Sequence, residues 1–261
     1  MMTKEICGTE IAYSLQGCGS GKLLLLHGWG CDGNMMKPVA DAFSGRFQVL
    51  SPDFPGHGKS GRPPEPWGVA EYAECILQLL QETGFIPCCV IAHSFGCRVA
   101  AVLAADHPEL FRKMIFTGGA GIRKEPSPEA QKRTARYKKL RGICETAKGI
   151  PLMRAAAEKM EEKLRQKYGS RDYNALDEEM RKTFVKIVSR DLTDCYPKIR
   201  ASTLLVWGDA DTETPLWMGR KMEQLIPDAG LAVLEGGSHF AYLEQNTRFN
   251  LIAQHFLKEE A

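Results

Sequence analysis

The junction at residues 88–107 constrains this chain more than any other feature. Cys88 to His93 is a short run, apolar on both faces, that reads as a strand buried inside a sheet. Ser94 to His107 follows without a spacer, with Ala100, Ala101, Ala104 and Ala105 in a helical pattern. A strand passing straight into a helix leaves room for one sharp turn, Ala92-His93-Ser94-Phe95-Gly96. Small residues two before and two after the serine keep strand and helix from colliding. Such a turn lifts the Ser94 hydroxyl above the sheet edge, in front of a helix N-terminus. A helix N-cap serine would also satisfy this pentapeptide, so the rest of the chain has to decide between them.

The same rhythm recurs on both sides of the junction. Leu23 to His27, Phe47 to Pro52 and Lys113 to Thr117 read as further buried strands, and Asn34 to Phe43 and Val69 to Thr83 as helices between them. Strands buried on both faces and alternating with helices imply a mostly parallel sheet covered on each side. From residue 121 to 200 the strands stop, and Ser127 to Leu140, Pro151 to Tyr168 and Asp177 to Ser189 read as helices. The rhythm resumes with strands at Thr203 to Trp207 and Leu231 to Leu234, and helices at Trp217 to Ile226 and Thr247 to Leu257. The expectation is an α/β core of residues 1–120 and 201–261, interrupted by a helical insertion at 121–200. The insertion holds 21 Lys/Arg against 12 Asp/Glu, a balance of +9, while the remainder stands at −7.

Composition narrows the function classes. Hydrophobic residues make up 44% and charged residues 25% of 261, close to an ordinary folded protein and far from disorder, collagen or coiled coil. The whole-chain balance is +2, so no overall field marks a nucleic-acid or membrane-surface binder, and a small molecule is the expected partner. Apolar runs are far shorter than the roughly 18 residues of a membrane span, and Met1 to Gly8 has no signal-peptide character, so the expected location is the cytoplasm. Nine cysteines without a C-x-x-C pair argue against a disulfide framework. The chain has neither H-E-x-x-H nor a Cys/His cluster of ligand spacing, so no metal is expected.

A serine hydroxyl becomes a nucleophile only when a base takes its proton and a third group orients that base. Two loops can supply them. Gly208-Asp209-Ala210-Asp211-Thr212-Glu213-Thr214-Pro215 follows one late strand, and Gly236-Gly237-Ser238-His239-Phe240 follows the next. Both lie at the carboxyl ends of strands, where open α/β sheets bind their ligands.

On these residues the chain resembles the α/β-hydrolase superfamily over essentially its whole length. The Ala-x-Ser-x-Gly elbow is joined by His27-Gly28-Trp29-Gly30 after an early strand, Asp53-Phe54-Pro55-Gly56-His57-Gly58-Lys59-Ser60 after the next, Gly208-x-x-Asp211 and Gly237-Ser238-His239-Phe240. Within that superfamily it is most similar to small bacterial esterases with a helical cap, of the pimeloyl-carrier methyl esterase and enol-lactonase types. The resemblance implies an α/β-hydrolase fold with residues 121–200 as the cap. It implies Ser94 as nucleophile, His239 as base and Asp211 as the acid, the family spacing after Gly208 selecting Asp211 over Asp209. It also implies an oxyanion hole made by the backbone N–H groups of Trp29 and Phe95, and no cofactor. Asp53 to Ser60 is expected to be a stiff structural turn.

The implied activity is hydrolysis of a small-molecule carboxylic ester through an acyl-enzyme. Lactone or carbon–carbon hydrolysis on the same residues, and a ligand receptor that keeps the fold, stand as alternatives. Gly17-Cys18-Gly19-Ser20-Gly21-Lys22 faintly suggests a phosphate loop, but Leu23 replaces the required Ser/Thr and a strand follows, so a hairpin-like turn is expected. Met153 and Met160 fall on nearly one helix face, as either core packing or an adaptable acyl pocket. The basic insertion could attract substrates carrying a carboxylate or phosphate, or merely present solvated helix faces.

Overall fold

A computed structural model describes residues 1–123 and 127–260 of the chain. In chain order the elements are β1 (Met2–Ile6), β2 (Thr9–Gln16), β3 (Gly21–Leu26), α1 (Lys37–Phe43), β4 (Phe47–Pro52), α2 (Val69–Glu82), β5 (Cys88–His93), α3 (Phe95–Asp106) and β6 (Phe111–Thr117). Helices α4 (Pro128–Lys148), α5 (Arg154–Tyr168), α6 (Arg171–Ala175) and α7 (Glu178–Ser189) follow. The chain then returns through β7 (Ser202–Gly208), α8 (Leu216–Leu225), β8 (Ala229–Leu234), α9 (Ala241–Glu244) and α10 (Asn246–Phe256).

The strands form one eight-stranded sheet in the order β1-β2-β4-β3-β5-β6-β7-β8. β1 pairs with β2 and β2 with β4 antiparallel, and every pairing from β4 to β8 is parallel. Because successive side chains of a strand point to opposite faces, each central strand serves two cores. Leu24, Leu26, Val90 and Ala92 face one core, which α2, α3 and α8 cover. Leu23, Leu25, Cys89 and Ile91 face the other, which α1 and α10 cover. Burying such a side chain contributes about 1.5–3 kcal/mol, which explains why these strands are apolar on both sides.

The start of the chain departs from the sequence reading. β1 and β2 form a hairpin turned by Cys7 and Gly8, both with positive φ. The segment Gly17 to Lys22 is not a hairpin turn, because β2 and β3 are not neighbours; it carries the chain past β4 to the next position in the sheet. There Cys18 donates to the Ser44 carbonyl, and a side chain at Gly19 would strike the Arg46 backbone at 1.8 Å.

The molecule divides into two compact units, residues 1–122 with 185–261, and residues 123–184. Residues 185–200 thus group with the sheet rather than with the helices that precede them. Arg98 of α3, itself buried, donates to the carbonyls of Ile187 at 3.1 Å and Arg190 at 2.8 Å, and Leu192 donates to Gly121 at 2.8 Å. Ile187, Leu192 and Tyr196 lie in the core on the α3 side. In the helical unit α4 packs against α5, and Cys144 of α4 and Ala157 and Leu164 of α5 are buried. Glu161 of α5 accepts from both Arg141 and Lys148 of α4. Met153 and Met160 are 49% and 53% exposed, so core packing does not account for them. Among the described residues no helix is long and apolar enough to cross a membrane.

Candidate active site

Ser94 sits between the last residue of β5 and the first of α3 with φ 49° and ψ −105°. Among the described residues only Cys7 and Ser94 combine a side chain with positive φ. Such a conformation costs about 1–3 kcal/mol and persists only where its surroundings impose it. Here they do. The Ser94 N–H donates to the Thr117 carbonyl at 3.1 Å, its own carbonyl accepts from Cys97 at 3.1 Å, and Gly96 N–H donates to His27 at 3.1 Å. A side chain at Gly96 would lie 2.4 Å from the Leu26 carbonyl oxygen, so the start of α3 can pass this close to the end of β3 only with glycine there. Ala92 is fully buried at the other small position of the elbow.

Asp211 and His239 come from the loops after β7 and β8. The two loops are in close contact, since a Cβ on Gly208 would fall 2.1 Å from the Gly237 carbonyl oxygen. His239 Nδ1 donates to Asp211 Oδ2 at 2.8 Å. The remaining donors around that buried carboxylate were not anticipated from sequence. Glu213 and Thr214 N–H groups both donate to Oδ1 at 2.9 Å, and the Thr214 hydroxyl donates to Oδ2 at 2.9 Å. Burial raises the Asp211 pKa, but the hydrogen bonds from His239 and Thr214 outweigh it and hold the group below its ordinary value. Asp209 is engaged elsewhere, its Oδ1 accepting from Gly236 N–H at 2.7 Å. Ser238, the neighbour of His239, is held through its N–H and hydroxyl by Glu244.

The serine and histidine loops meet through two residues. The ring of His93, which precedes the serine, lies 4.7 Å from that of His239. Gly118, next to the Thr117 that holds the elbow, lies beside His239, where a Cβ would be 3.1 Å from Nδ1. His93 is buried, with Nδ1 donating to the Thr117 carbonyl at 3.0 Å. Burial pushes its pKa down to about 3, so it stays neutral.

Trp29 follows β3, and its ring packs edge-on against Phe95 at 5.4 Å and His57 at 4.5 Å. His27 Nε2 accepts a hydrogen bond from Phe54 N–H at 3.0 Å, and its Nδ1 donates to the Gly28 carbonyl at 2.8 Å. Burial lowers His27 and His57 to about 4. The Asp53 carboxylate is fully used by backbone, accepting from Gly33 at 2.7 Å and Lys59 at 2.8 Å. Ser60 closes this turn by donating to the Asp53 carbonyl at 2.6 Å.

Comparison with known proteins agrees with this architecture. A pimeloyl-[acyl-carrier protein] methyl ester esterase of Chromobacterium violaceum is 27% identical over 241 residues, 89% of this chain and 93% of that protein. A 2-hydroxymuconate semialdehyde hydrolase of Pseudomonas putida is 25% identical over 273 residues, 98% of this chain and 94% of that protein. The crystal structure of the enol-lactonase from Burkholderia xenovorans LB400 superposes with a TM-score of 0.75 at 22% identity, covering 98% of this chain and all of that one. The family model for the alpha/beta hydrolase fold matches residues 22–245, and the chain belongs to that family.

Proposed function

We propose that the protein is a serine hydrolase that cleaves small carboxylic esters through an acyl-enzyme. The observation that carries this reading is the Asp211–His239 hydrogen bond in the loops adjoining a strained serine elbow. His239 takes the Ser94 proton as Oγ attacks the acyl carbon. Asp211, ionised and hydrogen-bonded to Nδ1, fixes the ring and stabilises the imidazolium that forms. The negative oxygen of the tetrahedral intermediate is met by the N–H groups of Trp29 and Phe95. His239 then protonates the leaving alcohol. Water, deprotonated by His239, releases the acid and restores Ser94. The reading assigns choice of substrate to residues 121–200 as the cap, and needs no cofactor or metal. It is tested with a panel of activated esters, lactones and thioesters, where sustained turnover of an ester, lost in Ser94→Ala, is expected. Binding without turnover would instead favour a receptor.

A second reading keeps the same residues but a different bond. The Pseudomonas putida relative is named for a semialdehyde substrate, and the enol-lactonase shares the fold. A vinylogous 1,5-diketone and an enol-lactone in the same panel separate carbon–carbon and lactone hydrolysis from ester cleavage.

A further inference from the structure

Thirteen large apolar side chains are exposed among the described residues, and five of them fall within residues 143–160 of the helical unit. That concentration sits at one end of the α4–α5 hairpin. Leu152 is 96% exposed, Ile143 58%, and Ile150 and Met153 about half. The end is a formed turn rather than a slack loop. Gly149 N–H donates to Thr146, Ile150 to Ala147 and Met153 to Ile150. Below it, Glu161 ties Arg141 and Lys148 together across the two helices. A rigid turn that presents leucine, isoleucine and methionine to water loses the free energy of burying them, so their display calls for an occupant.

The helix leading to this tip carries charge on the same side. Lys132, Arg136, Lys139 and Ile143 are spaced four, three and four residues apart, which places them in one stripe along α4, and all four are exposed. The stripe is about 16 Å long at 1.5 Å per residue. Residues 123–184 hold 17 Lys/Arg against 10 Asp/Glu, a balance of +7, and the rest of the chain stands at −5. The whole-chain balance of +2, which on its own argued against a membrane-surface binder, is the sum of these opposites.

We infer that the α4–α5 hairpin docks on an anionic phospholipid surface. Ile150, Leu152 and Met153 enter the boundary between headgroups and acyl chains, and Lys132, Arg136 and Lys139 face the phosphates. Exposed apolar side chains gain free energy by entering the boundary between headgroups and acyl chains, and basic residues near an anionic leaflet are attracted within a Debye length. The tip is built from flexible aliphatic and thioether side chains, Leu152 standing almost wholly exposed. A fluid lipid surface accommodates such side chains, whereas a protein partner would need a complementary pocket. The inference is independent of the chemistry at Ser94.

Co-sedimentation of the full chain with vesicles tests it. Vesicles of phosphatidylcholine containing about a third phosphatidylglycerol should carry the protein down, and pure phosphatidylcholine should do so at least about tenfold less. Leu152→Asp with Met153→Asp should reduce binding to the anionic vesicles about tenfold or more. Lys132→Glu, Arg136→Glu and Lys139→Glu together should reduce it about a hundredfold. The two variants alter different residues, and unfolding temperatures equal to the parent's show that each is folded. The inference is overturned by absence of binding, by equal binding to both kinds of vesicle, or by variants that bind like the parent. Self-association of the parent that Leu152→Asp abolishes, without vesicle binding, would assign the tip to a second copy and also overturn it.

Discussion

The Oγ1 of Thr214 lies 2.9 Å from Oδ2 of Asp211 and 3.2 Å from Nδ1 of His239, so one hydroxyl touches both side chains of the Asp211–His239 pair. Its proton goes to the carboxylate, because Nδ1 already donates there. Thr214→Val keeps the shape and removes this donor. The Asp211 carboxylate then loses one of the donors that orient it towards the His239 N–H. The loss of a hydrogen bond worth about 1 kcal/mol should lower kcat/KM about fivefold, and Thr214→Ser, which keeps the hydroxyl, should retain most of the parent's activity. Steady-state kinetics of the two variants decide, and a serine variant as impaired as the valine variant would mean that Thr214 only packs.

Asp211 and Asp209 share a loop but have different partners, His239 Nδ1 and Gly236 N–H. Asp211→Asn should lower kcat on an activated ester by several orders of magnitude, since it loses the charge that stabilises imidazolium and favours the wrong tautomer. Asp209→Asn retains an oxygen for Gly236 and should stay within about tenfold of the parent. Steady-state kinetics of the two variants decide between them, and the reverse ranking would reassign the acid.

Much of this site is legible in the sequence because its signals are local. The elbow needs only Ala92, Ser94 and Gly96 at fixed spacing between a strand and a helix, and Asp211 and His239 follow their strands by a few residues. Thr214 was not singled out, since a threonine in a loop carries no signal until the fold brings His239 of the next loop against it. β1 was missed for a different reason: Met2 to Glu5 are largely exposed on an edge strand, so no apolar pattern marks it. Residues 185–200 read as part of the helical insertion because α7 is continuous through its boundary. Nonlocal contacts, those of Arg98, Ile187, Leu192 and Tyr196 among them, attach them to the sheet.

Three histidines are kept neutral inside the sheet unit, burial lowering His27 and His57 to about 4 and His93 to about 3 from 6.5. Below pH 6.5 the unfolded chain takes up protons that the folded chain refuses, so stability falls as pH falls. Asp211 acts in the same direction, because its lowered pKa contributes stability that is lost as pH falls through the folded value. At about 1.4 kcal/mol per unit, even part of these shifts is comparable with a typical total stability of about 5–15 kcal/mol. Urea denaturation should give a midpoint that is level between pH 7 and 8 and drops steeply between pH 6.5 and 4. A midpoint independent of pH across that window would show that these side chains are not buried as described.

The central claim is that Ser94 is the nucleophile, and covalent labelling tests it most directly. A fluorophosphonate should add one phosphonyl group per chain, found on the peptide containing Ser94 by mass spectrometry. Ser94→Ala keeps the Cβ and with it the backbone strain, and removes only the hydroxyl, so it should unfold at about the parent's temperature, yet take up no label and lose several orders of magnitude in ester turnover. Label on another residue, or an alanine variant that hydrolyses esters at the parent's rate, would contradict the account.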